Sequence, residues 1–306
     1  MIVFYGRQDD PPLALAVEAA AELGVDYVVV DQARLDRHHL MVEVGPAGVR
    51  GELWVDRRRI ALEAATGVYA RPLEPASYWR DEITRLRAET LQRAFVEWLD
   101  YAPGLVINRP AAMESNCSKP YQAQLIARAG FAVPDTLVSS DPDEIAAFRA
   151  GHGRVIYKSV SGIRSIVREL DDTAAARLPA VRDLPAQFQS YVSGQDVRVH
   201  VVGTETFATA VRSDAVDYRY AAQDGLAAEL TSVDLPPEVR ERCLELSALL
   251  QLPFCGIDLR RDGDGGWVCF EVNPMPAYSY YQAHTGVPIS TALARLVAGH
   301  RPAARS

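Results

Sequence analysis

Two fold classes are predicted in one chain, α/β at the front and α+β behind it, and three observations predict them. Ile2–Tyr5 is a short apolar strand, Pro12 to Leu23 carries apolar residues at helical spacing and stops at Gly24, and Tyr27–Val30 is a second apolar strand. Strand, helix and strand within about 30 residues make a βαβ unit, hence a parallel sheet. Val197–Val202 and Thr206–Arg212 flank Gly203 as antiparallel strands, and Phe254–Arg260 and Trp267–Val272 flank the turn Asp262-Gly-Asp-Gly-Gly266 as another such pair.

The remaining elements follow in order. Gly51–Val55 and Ile60–Leu62 read as a hairpin, and Gly67–Ala70 as a strand ended by Arg71-Pro72. Glu82 to Leu99 is a long amphipathic helix with Ile83, Leu86, Leu91, Phe95 and Leu99 on or near one face. Pro103-Gly104 stops it before the short strand Leu105-Val106-Ile107. Ser118 to Ala129 is a helix closed by Gly130, and Phe131–Val138 is a strand interrupted at Pro134. Asp141-Pro142 starts a helix as N-cap and first helical residue. Arg154–Val160 and Gln187–Val192 are strands, while Pro237–Leu250 and Ile289–Val297 are helices. The predicted units are residues 1–107, 108–186 and 187–300, with 301–306 a frayed tail.

Composition narrows the function. Of 306 residues, 48% are hydrophobic and 24% charged, the balance of a folded, water-soluble chain. A net charge of −8 argues against a nucleic acid as main partner, because duplex binders are usually basic. No apolar run is long enough for a membrane helix, and the N-terminus reads as a first strand rather than a signal peptide. Cys117, Cys243, Cys255 and Cys269 lack finger spacing and read as thiols of a reducing cytosol, so a cytoplasmic location is expected.

The strongest chemical signal is near the C-terminus. Asp258 and Glu271 sit on consecutive strands around a Gly-rich turn, and Glu271 and Asn273 share a sheet face at i and i+2. Two carboxylates and an amide oxygen on one face suit Mg²⁺, a hard cation that pairs with phosphates. Their neighbours Ile257, Leu259, Phe270 and Val272 are apolar, which speaks against idle surface acids. Lys119 opens a helix, and Lys158 sits in an apolar strand where it needs a counter-charge such as a phosphate. The turn after it, Ser159 to Ser165, offers backbone N–H groups that could cover phosphates. Arg198, Arg212 and Arg219 end or alternate with strand residues and could offset charge developing in phosphoryl transfer. Taken singly, each lysine or arginine also reads as a surface residue.

In order, these pieces resemble the ATP-grasp superfamily of carboxylate ligases in its RimK-type branch. The matching elements are Asn108-Arg-Pro and Lys119; Gly130-Phe-Ala-Val-Pro-Asp-Thr136; Val155-Ile-Tyr-Lys158; Phe188-Gln-Ser-Tyr-Val192; Asp196-Val-Arg198; Arg212; Gly256-Ile-Asp-Leu259; and Glu271-Val-Asn273. The resemblance implies an N-terminal α/β domain followed by two subdomains that clamp ATP. It implies that Lys119 and Lys158 contact phosphates, that Gln189, Ser190 and Tyr191 line the adenine hinge, and that Asp196 lies near the ribose. It further implies that Asp258, Glu271 and Asn273 hold two Mg²⁺ ions and that Arg198, Arg212 and Arg219 face the γ-phosphate and an acyl phosphate. Gly51-Glu-Leu-Trp-Val55, Tyr69-Ala-Arg-Pro72 and Ser118-Lys-Pro-Tyr-Gln122 look like the microviridin-type graspetide ligases, which crosslink acidic side chains of a ribosomal peptide. Three departures stand out: Ser190 where a glutamate is common, few glycines after Lys158, and no asparagine in Asp217-Tyr-Arg-Tyr-Ala221.

The expected function is therefore an ATP-dependent ligase that works through an acyl phosphate and acts on a peptide, with an amine or hydroxyl acceptor. Two alternatives stand beside it: a ligase of a free amino acid or small metabolite, and a nucleotide-binding partner protein without turnover. A homo-oligomer is compatible with the sequence. His200 and His284 have no assigned role.

Overall fold

The apolar runs at the front of the chain pair in parallel. In the computed structural model, which describes residues 1–46, 48–73, 81–159, 167–212 and 229–299, β1 (Ile2–Gly6) leads into α1 (Pro11–Glu22) and returns as β2 (Tyr27–Asp31). Antiparallel strands β3 (His39–Gly45), β4 (Gly48–Val55) and β5 (Arg58–Ala61) follow, then β6 (Gly67–Ala70), α2 (Glu82–Leu99) and β7 (Leu105–Ile107). The parallel sheet has the order β2-β1-β6-β7. Strand β1 is apolar throughout because both its faces are covered. Val3 and Tyr5 pack with Phe95, Trp98 and Leu53, while Ile2 and Phe4 pack with α1.

The chain continues through α3 (Pro110–Met113), α4 (Lys119–Arg128), β8 (Thr136–Ser139), α5 (Pro142–His152), β9 (Val155–Ser159), β10 (Arg168–Glu169), α6 (Asp172–Ala175) and β11 (Ala186–Ser190). Asp141 caps α5 by accepting from the Asp143 backbone N–H at 2.8 Å, as its sequence predicts. The expected strand over Phe131–Val138 is shorter and later. Only Thr136–Ser139 pairs in the β10-β9-β11-β8 sheet, because Pro134 has no N–H to give a ladder, and Ala132 makes an isolated bridge to Val268 instead.

A five-stranded antiparallel sheet closes the fold. Its members are β12 (Gln195–Val202), β13 (Glu205–Arg212), β14 (Glu229–Val233), β15 (Phe254–Arg261) and β16 (Trp267–Asn273), in the order β14-β13-β12-β15-β16. Helix α7 (Pro237–Leu249) precedes β15; α8 (Ser279–Thr285) and α9 (Ile289–Val297) follow β16. Val197, Val199, Ile257 and Val272 turn one face of this sheet onto Val239, Cys243 and Leu246 of α7 and Leu125 of α4. The other face carries polar side chains along its middle and packs Val202 and Phe254 against α9 at one end. Helix α9 joins Phe254 and Tyr278 in the same apolar core as Ile2, Phe4 and α1, so the first and last parts of the chain are packed together. No helix among the described residues is long and apolar enough to cross a membrane.

Candidate active site

The polar face of the five-stranded sheet collects the acids singled out in the sequence. Arg198 on β12 is directly opposite Asp258 on β15, and Asp258 is directly opposite Glu271 on β16. One row across three strands therefore reads arginine, aspartate, glutamate. The register places Asn273 opposite Gly256, one step along on the same face. A β-bulge between Asp258 and Leu259 sets this alignment. Beyond the bulge Leu259 pairs with Cys269, and without the shift Asp258 would meet Phe270 instead of Glu271.

The row carries an unbalanced charge. The Arg198 guanidinium is 7% exposed and donates from Nη1 to Asp258 Oδ1 at 2.6 Å. It lies across Gly256, where a Cβ would stand 2.0 Å from Nη2, so only glycine leaves room for it. No ion pair is formed by the Glu271 carboxylate among the described residues. Two carboxylates side by side with one guanidinium leave an excess negative charge, and like charges directly opposite on neighbouring strands repel. A bound cation would relieve that repulsion. Asn273 Oδ1 already accepts from the Met275 backbone N–H at 2.8 Å, which fixes the amide and leaves its oxygen a second lone pair. Among the described residues no group of three His, Cys, Asp or Glu surrounds a point. The donor set is thus two carboxylates and an amide, all oxygen, which fits a hard cation that completes its shell with phosphates and water.

Two buried side chains that the sequence reading left without a role hold this edge in place. Gln122, three residues after Lys119 on α4, donates to the Val272 carbonyl and accepts from the Val272 N–H, both at 2.9 Å. It thereby closes the outer edge of β16 between Glu271 and Asn273. Asn108 donates to the carbonyls of Phe254 and Pro274 and accepts from the Phe254 N–H, clamping the start of β15 to the end of β16. Arg71 pairs with Asp10 and donates to the Pro276 carbonyl at 3.1 Å, so the N-terminal sheet touches the loop that follows Asn273. Arg109, quoted above with Asn108, has a different duty: it donates to the carbonyls of Leu99, Asp100, Ala102 and Gly104 at the end of α2.

The remaining predicted residues are spread over neighbouring elements. Lys119 is half-buried at the first position of α4. Lys158 pairs in register with Gln187, and Gln189 with Ile156. By strand alternation these four lie on the sheet face away from the Tyr157–Phe188 core. Ser190 donates its N–H to Asp135 and Tyr191 its N–H to Arg154, both at 2.9 Å. A backbone contact from either residue to a purine would therefore use a carbonyl oxygen. The Tyr191 ring is flanked by Arg154 at 3.8 Å and Arg260 at 5.9 Å. Arg260 also donates to the Val192 carbonyl at 2.6 Å and to Asp196 at 2.8 Å, tying the connection between the two sheets to β15. Arg212 is exposed at the end of β13 and stands 4.0 Å from Glu229. Thr209 is opposite Arg198, so alternation puts Arg212 on the other face from Arg198. Arg219, the turn from Val160 to Ser165, the segment 217–221 and the tail 301–306 lie outside the described residues.

His200 completes the face. It is fully buried beside Arg198, with its ring centroid 4.9 Å from that of Tyr281 on α8, and neither ring nitrogen has a hydrogen-bond partner. Burial, followed by the positive charge of Arg198, holds its pKa well below the ordinary value.

The fold with this acid row is that of the ATP-grasp superfamily. The model described as the RimK-like ATP-grasp domain matches residues 117–297, and this chain belongs to that family. A probable alpha-L-glutamate ligase of Marinomonas sp. (strain MWYL1) is 29% identical over 196 residues, 60% of this chain and 64% of the relative. The chain therefore matches less than two thirds of that relative's length. The solved structure of the ATP-grasp ligase PsnB, complexed with a phosphomimetic variant of minimal precursor, Mg and ADP, is 25% identical with a TM-score of 0.79 over 97% of each chain. A RiPP-associated ATP-grasp ligase of Chryseobacterium gregarium, in complex with ADP and a leader and core peptide, shares the fold at 18% identity, with a TM-score of 0.83 over 98% of this chain and 97% of that one.

Proposed function

We propose that this chain is an ATP-dependent ligase that joins a carboxylate of a peptide to an amine or hydroxyl through an acyl phosphate. The observation that carries the reading is the row Arg198–Asp258–Glu271 with Asn273 beside it, a cation-seeking oxygen set next to a buried guanidinium. Family membership and the likeness to PsnB over nearly the whole chain support it.

A carboxylate is a poor electrophile because its leaving group would be oxide. In the proposed first step a carboxylate oxygen attacks the γ-phosphorus of ATP, the bond to the β–γ bridging oxygen breaks, and ADP departs. In the second, the amine or hydroxyl attacks the acyl carbon, phosphate leaves with the electron pair, and the acceptor's proton is released. Asp258, Glu271 and Asn273 would hold two magnesium ions, which neutralise phosphate charge when bound. Lys119 and Lys158 would contact phosphates, while Gln189, Ser190, Tyr191 and Asp196 would meet the nucleoside. Arg198 would hold the reacting groups in line, joined by Arg219 and by Arg212, which lies on the other sheet face and would have to reach them around the end of β13. Residues 1–107 would serve the substrate, with 108–186 and 187–300 clamping the nucleotide.

The likeness to a probable alpha-L-glutamate ligase favours a second reading, in which the carboxylate is ligated to a free amino acid. Incubation with ATP, Mg²⁺ and an Asp/Glu-rich peptide, with and without glutamate, separates the two. The main reading expects a product lighter than the peptide by one water per bond without added amino acid. A product heavier by one glutamate residue, formed only when glutamate is present, would replace it by the second reading.

A further inference from the structure

A groove of about 630 Å³ lies between β3 and α2, on the N-terminal sheet system and apart from the acid row. That volume is within the range of about 300–1000 Å³ usual for ligand sites. Its walls are apolar: Leu40 and Val42 on the strand, Leu86 and Leu91 on the helix. The apolar lining is open to solvent along the helix and continues past the cavity along the strand. Ile83 is 79% and Leu86 62% exposed on α2, and Val44, on the same face of β3 as Leu40 and Val42, is 74% exposed. Exposed apolar residues lined up on two facing elements are unlike the scattered single ones of an ordinary surface. The strip follows β3, an edge strand whose partner among the described residues is β4 alone. An elongated strip beside a strand edge suits a stretch of chain better than a compact small molecule.

Among the described lining residues the one formal charge is the guanidinium of Arg87. Arg87 reaches His39, with Nη2 3.3 Å from Nδ1. His38 lines the same cavity, is 1% exposed, and has no hydrogen-bond partner on either ring nitrogen. Among the described residues none that lines the cavity is Asp or Glu, in a chain whose net charge is −8. A cationic, apolar channel on an acidic protein complements an acidic, apolar partner.

We infer that the β3–α2 groove is a docking site for a peptide segment in which apolar side chains alternate or cluster with Asp or Glu. The apolar side chains enter between Leu40 and Leu86, a carboxylate meets Arg87, and the buried imidazole of His38 gives or takes one hydrogen bond. The inference goes beyond the ligase reading and stands without it, since binding needs no nucleotide.

The test is selection of a displayed library of random 12-residue peptides on the full chain without ATP. Enriched sequences are then made as fluorescent peptides and titrated by anisotropy. Ile83, Leu86 and Arg87 are exposed, so Leu86→Asp and Arg87→Glu should fold, which thermal melting verifies. Enrichment of Asp or Glu with apolar residues, and a Kd weakened at least tenfold in both variants, is expected. Three results would overturn the inference: no enrichment; binders that are basic or bind both variants as well as wild type; or a wild-type dimer that Leu86→Asp turns into a monomer, which would make a second copy the occupant.

Discussion

Arg198 and Asp258 face each other across neighbouring strands, with Nη1 and Oδ1 2.6 Å apart, and the guanidinium rests on the bare backbone of Gly256. The pair exists in this geometry because position 256 has no side chain. Gly256→Ala would put a methyl 2.0 Å from Nη2 and push the guanidinium off Asp258. The expected result is a loss of about 1–3 kcal/mol of stability, the scale of overpacking a core, and a fall in turnover of ~10²-fold, the scale of one lost charge-stabilising donor. Thermal melting and an ADP-release assay check both.

Asp258→Asn and Glu271→Gln should part company in stability while both abolish turnover. The first removes the charge opposite a buried guanidinium, and a broken pair of this kind costs on the order of 1–3 kcal/mol where one partner is partly exposed. The second removes a carboxylate that repels its neighbour and forms no ion pair among the described residues, so melting without metal should be unchanged or higher. Calorimetry with Mg²⁺–ADP should show weakened binding for both. Tight Mg²⁺-dependent nucleotide binding by both variants would exclude these residues as ligands.

His200 gives a pH prediction. Burial keeps the folded imidazole neutral, with its pKa well below the ordinary 6.5. The unfolded chain takes up a proton below that ordinary value and the folded chain does not. The His200 contribution therefore destabilises the fold increasingly as pH falls below 6.5 and vanishes above it. His200→Phe keeps a ring against Tyr281 and drops two unpartnered nitrogens, so the variant should lose less stability than wild type between neutral and mildly acidic pH. His200→Ala should cost about 2–5 kcal/mol at neutral pH through its cavity, and less as pH falls because it too removes the titrating ring. Chemical denaturation of the three proteins across pH measures this.

Gln122→Leu nearly conserves volume but leaves the Val272 N–H and carbonyl without their side-chain partners. A cost of about 1–3 kcal/mol per stranded buried group is expected. Mg²⁺ affinity should fall as well, because Glu271 and Asn273 flank Val272. Unchanged melting would show that the edge of β16 does not need Gln122.

How much of this could be read beforehand depends on sequence distance. The βαβ start, helix α2 and the hairpin holding Asp258 and Glu271 were legible, because periodicity and turn residues act over a few positions. Strands β3 and β14 and helix α8 were not, since short elements without a clean apolar period take their structure from their neighbours. The partner of Arg198 is 60 residues away, and only the β12–β15 register shows which acid it meets. Gln122 and Asn108 bond backbone groups about 150 residues off, and a side chain that serves a remote backbone leaves no pattern in sequence. The bulge that aligns Glu271 with Asp258 is likewise invisible, although the alignment itself was expected.

The acyl phosphate is tested most directly by following an oxygen atom. The peptide substrate is prepared with heavy oxygen in its side-chain carboxylates and turned over with unlabelled ATP in ordinary water, and the products are weighed. The account predicts ADP, and one heavy oxygen carried from the carboxylate into the released phosphate for each bond formed. Heavy oxygen appearing in AMP, or phosphate released without it, would contradict the account.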